Sequence, residues 1–322
     1  MSMEKTKWAI ALAAGAASMA ALMAVSLPTA GAADATADAT AADATADQPG
    51  AMAEVWRADF DGAAGTLPSS EDWIIDTGTG YPGGPPNWGT GEIQTYTDDP
   101  ANVSLDGEGH LTITALREGD TWTSSRIETR RSDFAAPDGG KLRIEASLQL
   151  PDLEGEAGLG YWPAFWTLGG DYRGNYWNWP GVGEFDIMEN VNGVEQVWGV
   201  LHCGVSPGGP CDETNGRGAS TPCDTCDSQF HEYALELDRT GETEYLRWYL
   251  DGQLFHTVSS ADMDAATWAN ATDHGHFILL NLAMGGAFPN GVAGQTTPTP
   301  ATVPGGSLTV DYVSVSVEQG AE

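Results

Sequence analysis

The sequence predicts an all-β domain, a sandwich of two antiparallel sheets of the jelly-roll type. Apolar and polar residues alternate over short stretches, at residues 110–115, 141–148, 245–250 and 307–315. This period of two is typical of strands with one buried face. The 41 glycines and 18 prolines fit frequent turns, and Asp251-Gly252 suits the tight turn of a hairpin. We expect no amphipathic helix of useful length after the N-terminal segment.

The first 32 residues have the pattern of a secretory signal peptide. Lys5 and Lys7 precede an apolar stretch over residues 8–27, and Ala30-Gly31-Ala32 offers small residues for cleavage. The length of the apolar stretch leaves an uncleaved membrane anchor as the alternative. We therefore expect a secreted protein that has no membrane attachment after cleavage.

Residues 33–52 are a low-complexity tract of Ala, Asp and Thr. The tract lacks the aromatic residues that a core needs, so we expect a disordered linker. The strand-like pattern follows it and continues to about Val317. The sequence thus predicts one folded domain over residues 53–318.

The chain is strongly acidic, with 46 Asp and Glu against 13 Lys and Arg and a formal net charge of −33. Such a surface repels nucleic acids and anionic membranes and disfavours anionic polymers as substrates. A neutral polysaccharide meets no such objection. We expect a monomer with no nucleic-acid partner.

The four cysteines, Cys203, Cys211, Cys223 and Cys226, predict two disulfides in an exported chain. We favour Cys203–Cys211 and Cys223–Cys226 because each pair closes a short local loop. A zinc site that uses the four cysteines with His202 nearby is the alternative.

Three carboxylates lie in the otherwise apolar run from Glu184 to Glu189. Glu184 and Asp186 are two residues apart and share one face of a strand. Glu189 is five residues from Glu184, so a regular strand would turn it to the opposite face. A β-bulge at Ile187-Met188 would return Glu189 to the same side. Two carboxylates beside one sugar bond are what retaining glycoside hydrolysis requires.

Tryptophans are dense around the acidic run, and their faces stack well on sugar rings. Each of them could instead be an ordinary core residue. His202 is either a satisfied core histidine or a substrate contact, and Arg126 is either a surface ion pair or a group that binds sugar hydroxyls. The tryptophans concerned are Trp162, Trp166, Trp177, Trp179 and Trp198.

Several motifs together resemble glycoside hydrolase family 16, which includes laminarinases and lichenases, and the resemblance covers nearly all of residues 55–317. The motifs are Trp88 to Thr97, Ser125-Arg126-Ile127, Trp162-Pro163-Ala164-Phe165-Trp166, Gly183 to Glu189, Leu280 to Gly286 and Val310 to Val315. The family often has Asn after Trp-Gly, where this chain has Thr90. A sugar contact at that position would be weaker here.

The resemblance implies a concave substrate cleft and assigns roles to the acids: Glu184 as nucleophile, Glu189 as acid/base and Asp186 as the assisting acid. It implies that Trp88, Arg126, Trp162, Trp166 and His202 contact substrate. No cofactor is required for the chemistry, although family members often bind one structural calcium ion. Asp59 and Asp311 occupy the matching positions here, and both could equally be ordinary strand-end acids.

The bulged active-site strand is the laminarinase-like version, which implies an endo-β-1,3-glucanase and leaves mixed-linkage β-1,3-1,4-glucan open as a further substrate. Another polysaccharidase of the family, such as an agarase or a strict mixed-linkage glucanase, is the first alternative. A non-catalytic β-glucan-binding protein is the second.

Overall fold

The computed structural model describes residues 50–320. The expected signal peptide, and the expected linker up to residue 49, lie outside the described residues. The strands are β1 (Ala53–Ala58), β2 (Trp73–Asp76), β3 (Thr95–Tyr96), β4 (Val103–Leu105), β5 (Leu111–Thr114), β6 (Leu116–Glu118), β7 (Thr121–Ser124), β8 (Arg126–Thr129), β9 (Lys141–Gln149), β10 (Tyr161–Gly169), β11 (Glu184–Glu189), β12 (Gln196–His202), β13 (Arg217–Pro222), β14 (His231–Asp238), β15 (Tyr245–Leu250), β16 (Gln253–Ser259), β17 (His276–Met284) and β18 (Ser307–Glu318).

Each of the four stretches chosen by alternation is a strand, namely β5, β9, β15 and β18. The hairpin prediction is also confirmed, because β15 and β16 pair across Asp251-Gly252. Asp251 has a φ of 48° and Gly252 a φ of 71°. The tight turn needs this left-handed backbone, which Asp and Gly tolerate well.

Within residues 50–320, three short α-helices connect the strands: α1 (Gly155–Gly158), α2 (Ala265–Thr272) and α3 (Ala287–Ala293). No amphipathic helix of useful length was expected from the sequence, and the longest of these three helices has eight residues. Asp264 caps α2, because its carboxylate accepts the Thr267 backbone N–H at 3.0 Å. Within residues 50–320, no helix has the length and apolar character needed to cross a membrane.

The strands form the two large antiparallel sheets of a jelly-roll sandwich. The eight-stranded sheet has the order β16-β15-β14-β9-β18-β5-β4, with β1 also paired to β18. The seven-stranded sheet has the order β13-β12-β11-β10-β17-β8-β2. A small third sheet joins β3, β7 and β6. The fold class predicted from the sequence is confirmed.

The core lies between the two large sheets, and strand alternation decides which residues enter it. On β17, Ile278, Leu280 and Leu282 point into this core, whereas Leu279 joins a smaller apolar cluster elsewhere. Asn281 lines a cleft. The seven-stranded sheet therefore has one face in the core and one face available for a site.

Candidate active site

A cleft of about 280 Å³ lies on the face of the seven-stranded sheet that points away from the core. Residues of four adjacent strands, β8, β17, β10 and β11, line it together with parts of residues 81–92 and 172–179. The cleft therefore runs across the strands. All three acids of the predicted catalytic set line it.

A β-bulge in β11 brings the third acid back to the cleft. The pairing with β10 shifts register between Asp186 and Met188, and Ile187 has no partner there. Ile187 and Met188 both enter the core, whereas Glu189 lines the cleft with Glu184. A regular strand would have buried Glu189 on the core side. The structure thus contains the irregularity that the spacing of the acids required.

Glu189 is buried and accepts a hydrogen bond from the indole of Trp162. Trp162 donates its Nε1–H to Glu189 Oε1 at 2.8 Å, and this bond favours the ionised carboxylate. Burial and the neighbouring Asp186 carboxylate act more strongly and raise the pKa of Glu189 to about 8. At neutral pH this group is therefore able to donate a proton.

Glu184 lies at the start of β11, where two influences oppose one another. Burial and the Asp186 carboxylate raise the pKa of Glu184 well above its usual range. His202, whose Nε2 lies 3.9 Å from Glu184 Oε1, lowers it. The ionisation of Glu184 therefore depends on the charge of His202.

Asp186 lies between the two glutamates along the strand and fixes the geometry of β11. Its backbone carbonyl accepts the Trp248 Nε1–H at 2.7 Å. Its Oδ2 lies 3.3 Å from His202 Nε2, but the contact misses hydrogen-bond geometry. Among the described residues, this buried oxygen has no hydrogen-bond partner. A sugar hydroxyl is a suitable donor for it.

His202 has a second carboxylate neighbour that the sequence analysis missed. Glu213 Oε2 lies 2.7 Å from His202 Nδ1. Glu213 comes from the loop between β12 and β13, eleven residues along the chain. The sequence analysis singled out this loop only for its cysteines, and an acid beside a disulfide was the signal available.

Arg126 is buried beneath aromatic rings and is already paired. Its Nε donates to Asp76 Oδ2 at 3.1 Å, and a second guanidinium nitrogen donates to the Tyr81 hydroxyl at 3.0 Å. The guanidinium also lies 4.5 Å from the Trp88 ring and 4.9 Å from the Trp166 ring. Arg126 therefore supports the aromatic floor of the cleft, and two of its five N–H groups bond within the protein. Asp76 and Tyr81 were not predicted.

Four of the five tryptophans near the acidic run line the cleft: Trp162, Trp166, Trp177 and Trp179. Trp198 does not line it. Trp166 is fixed by its Nε1–H bond to Asn281 Oδ1 at 2.7 Å. Trp177 is 69% exposed, yet its Nε1–H bonds the Gly83 carbonyl at 2.8 Å.

Trp88 also lines the cleft, and among the described residues its buried Nε1 has no hydrogen-bond partner. Thr90, which departs from the pattern of the similar family, donates its hydroxyl to Glu92 Oε1 at 2.8 Å. Glu92 also accepts bonds from Gln94 and Tyr96. The Thr90 hydroxyl is therefore occupied within the protein rather than directed at a ligand.

Both predicted disulfides are present, Cys203–Cys211 and Cys223–Cys226. The pairing preferred from the sequence is confirmed. The zinc alternative is wrong, because none of the four cysteines is a free thiol.

Two groups of three side chains of metal-ligand type converge within residues 50–320. One consists of Glu184, Asp186 and His202, whose carboxylates serve the chemistry of the cleft. The other is His231 with two cysteines that form a disulfide. The disulfide makes the two cysteines of the second group unavailable as metal ligands.

The predicted calcium ligands belong to the region of β1 and β18 in the eight-stranded sheet and do not line the cleft. Ala58 pairs with Val313 across β1 and β18, so Asp59 and Asp311 belong to neighbouring strand segments. The Asp59 carboxylate accepts a bond from the Arg57 guanidinium. This cation opposes a second cation at the same carboxylate.

Comparison with known proteins adds three findings. A family model described as "XgeA-like, catalytic GH16 domain" matches residues 147–232. The crystal structure of endo-1,3-beta-glucanase from Streptomyces sioyaensis superposes with a TM-score of 0.82 at 54% identity, over 84% of this chain and 98% of that one. The beta-glucanase of Rhodothermus marinus is 32% identical over 270 residues, which is 81% of this chain and 84% of that protein.

A further relative is the glucan endo-1,3-beta-glucosidase A1 of Niallia circulans, which is 29% identical over 279 residues. The match covers 82% of this chain but only 38% of that protein. The aligned region therefore corresponds to part of the Niallia circulans protein and to most of the Streptomyces sioyaensis structure.

Proposed function

This chain belongs to glycoside hydrolase family 16, and we propose that it is a retaining endo-glycosidase that hydrolyses internal β-1,3 linkages of β-glucans. The observation that carries the proposal is the bulge in β11, which directs Glu184, Asp186 and Glu189 into one cleft. The relatives from Streptomyces sioyaensis and Niallia circulans are named for action on 1,3-β-glucan. No cofactor takes part in the chemistry, because the carboxylates supply the nucleophile and the proton.

The reaction takes two displacements at the anomeric carbon. In the first, Glu184 attacks that carbon, and the bond to the glycosidic oxygen breaks as Glu189 gives the oxygen its proton. In the second, Glu189 removes a proton from water, which attacks the same carbon and releases Glu184. The protein ends in its starting protonation state, and the product keeps the β configuration.

The charges of the site act on both glutamates. Glu189 holds its proton at neutral pH, since its pKa lies at about 8. Glu184 gains stabilisation as a carboxylate from His202. Asp186 raises the pKa of both glutamates and offers an unpartnered oxygen to the sugar bound between them.

The substrate is a neutral glucan, since a chain of net charge −33 repels anionic polymers. The cleft is rich in tryptophan and tyrosine, whose ring faces stack on sugars. Mixed-linkage β-1,3-1,4-glucan, agarose and binding without catalysis are the competing outcomes. Product analysis on laminarin, curdlan, lichenan and agarose separates the first two from β-1,3-glucan hydrolysis.

Two measurements test the catalytic assignment. Proton NMR of freshly cleaved laminarin should show the β-anomer first, and initial release of the α-anomer would refute the double displacement. The Glu184→Gln variant should lose at least ~10³-fold in kcat while it still binds glucan. The matched control is Glu195→Gln, which makes the same change at an exposed carboxylate outside the cleft. Hydrolysis by Glu184→Gln at the wild-type rate would remove Glu184 from its role.

We further propose that the protein is secreted and monomeric. The lysines and apolar stretch within residues 1–32, together with two disulfides, support export. N-terminal sequencing of protein from the culture medium should give a mature chain that begins near residue 33, and light scattering should give one chain per particle. A cell-bound product with an intact N-terminus would favour the anchor.

A structural calcium ion at Asp59 and Asp311 stays a prediction. Binding there requires the Arg57 guanidinium to leave Asp59. A rise of the unfolding temperature when calcium is added to chelator-treated protein would support the ion, and an unchanged temperature would count against it.

A further inference from the structure

Glu213 is a buried carboxylate that the double displacement does not use directly. Its side chain has no exposed surface, and it lies two residues after Cys211, which the disulfide ties to Cys203. Oε1 accepts the Cys203 backbone N–H at 2.8 Å, and Oε2 lies 2.7 Å from His202 Nδ1. A buried carboxylate is tolerated only when it is paired in this way.

The contact fixes the proton on one side of the His202 ring. An ionised carboxylate only accepts hydrogen bonds, so Nδ1 must carry a proton to bond Glu213. The backbone of Gly216 closes over the ring, because a Cβ there would lie 2.9 Å from His202 Cε1. Trp179 covers the ring at a centroid distance of 5.6 Å.

The opposite ring nitrogen faces the catalytic acids. His202 Nε2 lies 3.3 Å from Asp186 Oδ2 and 3.9 Å from Glu184 Oε1. Glu189, on the same strand, also feels the charge of His202. With Glu213 behind the ring, these three acids are the charged groups that act on His202 from the elements packed against it.

The reaction needs Glu184 without its proton and Glu189 with its proton. Burial and Asp186 raise the pKa of both glutamates, so neither influence separates them. A positive charge on His202 acts on both acids, but it is the leading influence that lowers the pKa of Glu184, whose Oε1 lies 3.9 Å from His202 Nε2. For Glu189 it comes after the Trp162 bond. An uncharged imidazole would provide no such difference.

We propose that Glu213 is a positioning residue for this reaction: it holds His202 as an imidazolium whose Nε2–H faces Glu184 and Asp186, and so keeps Glu184 ionised for attack. The proposal rests on the proposed double displacement. Burial lowers the pKa of His202, but Asp186, Glu213 and Glu184 together raise it well above its usual value. Nothing in the sequence pattern of the acidic run points to Glu213.

A purely structural role for Glu213 predicts a different result. The direction in which the pKa of Glu184 shifts separates this role from the positioning role. Direct removal of the Glu213 charge lowers the pKa of Glu184, because this charge is among the influences that raise it. Loss of the imidazolium raises the pKa of Glu184. The second effect should dominate, because His202 lies between Glu213 and the acids and influences Glu184 more strongly.

The test compares Glu213→Gln with Asp212→Asn, a neighbour in the same loop whose side chain is exposed. In Glu213→Gln, the acidic limb of the kcat/KM profile on laminarin should move to higher pH by about 1 unit. At a pH well below that limb, this shift is an about 10-fold loss of activity. Asp212→Asn should leave the limb in place, and Glu213→Asp, which keeps the charge, should leave the limb close to its wild-type position. The position of the limb does not depend on how much of the variant folds.

NMR titration of His202 provides the second measurement, and its resonance is identified by its absence in His202→Gln. The pKa of His202 should fall in Glu213→Gln and stay in place in Asp212→Asn. An unchanged His202 titration, or an acidic limb that stays or moves to lower pH, would overturn the proposal. If the wild-type protein fails to cleave any β-glucan, the proposed function fails, and the His202 titration still decides the role of Glu213.

Discussion

The hydrogen bond from Trp162 to Glu189 sets the upper end of the pH range in which the protein should be active. Trp162→Phe removes the indole N–H that lies 2.8 Å from Glu189 Oε1 and keeps an aromatic ring. A hydrogen bond to a charged group contributes about 1.5–3 kcal/mol, which corresponds to ~1–2 pKa units. Because this bond favours the ionised form, its loss should raise the pKa of Glu189 from about 8 by that amount.

The assay is kcat/KM on soluble laminarin across the alkaline limb, which reports the ionisation of the free protein. The limb should move upward by at least ~1 pH unit, even if the absolute rate falls because a sugar contact is lost. Trp166→Phe is the control, since its Nε1–H bonds Asn281 and not a carboxylate. A limb that stays in place in Trp162→Phe would show that Glu189 is not the proton donor.

Three further predictions follow from the same contacts. Glu189 has a folded-state pKa of about 8 against 4.5 in the unfolded chain, so its stabilising contribution is full below pH 4.5 and is lost as pH rises through 8. The free energy of unfolding of Glu189→Gln, measured with urea and taken relative to the wild type, should therefore rise by up to about 5 kcal/mol from pH 4.5 to pH 8. An equal difference between variant and wild type at both pH values would contradict this. Replacement of Cys203 and Cys211 by Ala should cost about 2–3 kcal/mol of stability. It should also move the acidic limb of the activity profile to higher pH, as in Glu213→Gln. Replacement of the other two cysteines should leave the limb unmoved. Trp177→Ala should raise KM for long laminarin chains about 3–10-fold with kcat unchanged. The control is Leu254→Ala, which changes an exposed residue of the other sheet. An equally large rise of KM in this control would refute a stacking role for Trp177.

The sequence determined the fold because successive side chains of a strand face the core and the solvent in turn, so apolar and polar residues alternate. Alternation located β9, β15 and β18 within a few residues, and Asp251-Gly252 located a hairpin. The acidic run also contained enough information for its own bulge. Glu184 and Glu189 are five residues apart and cannot share a face of a regular strand. The chemistry therefore required an extra residue, and Ile187 is that residue.

Contacts between distant segments were beyond the reach of the sequence. Arg126 was singled out from its own segment, whereas its partner Asp76 lies fifty residues earlier in the chain. The charge state of Glu189 depends on an indole 27 residues away. Neither partner has a local pattern that marks it.

The sequence by itself determined the class of fold, the catalytic strand and the pairing of the cysteines, because each of these follows from spacing within a short segment. Only the tertiary structure decided which groups shift the pKa of Glu184 and of Glu189, and which ring faces Glu184. Those properties depend on burial and on charges within a few ångströms, and Glu213, His202 and Asp186 come within that range only when the β12–β13 loop folds against β11.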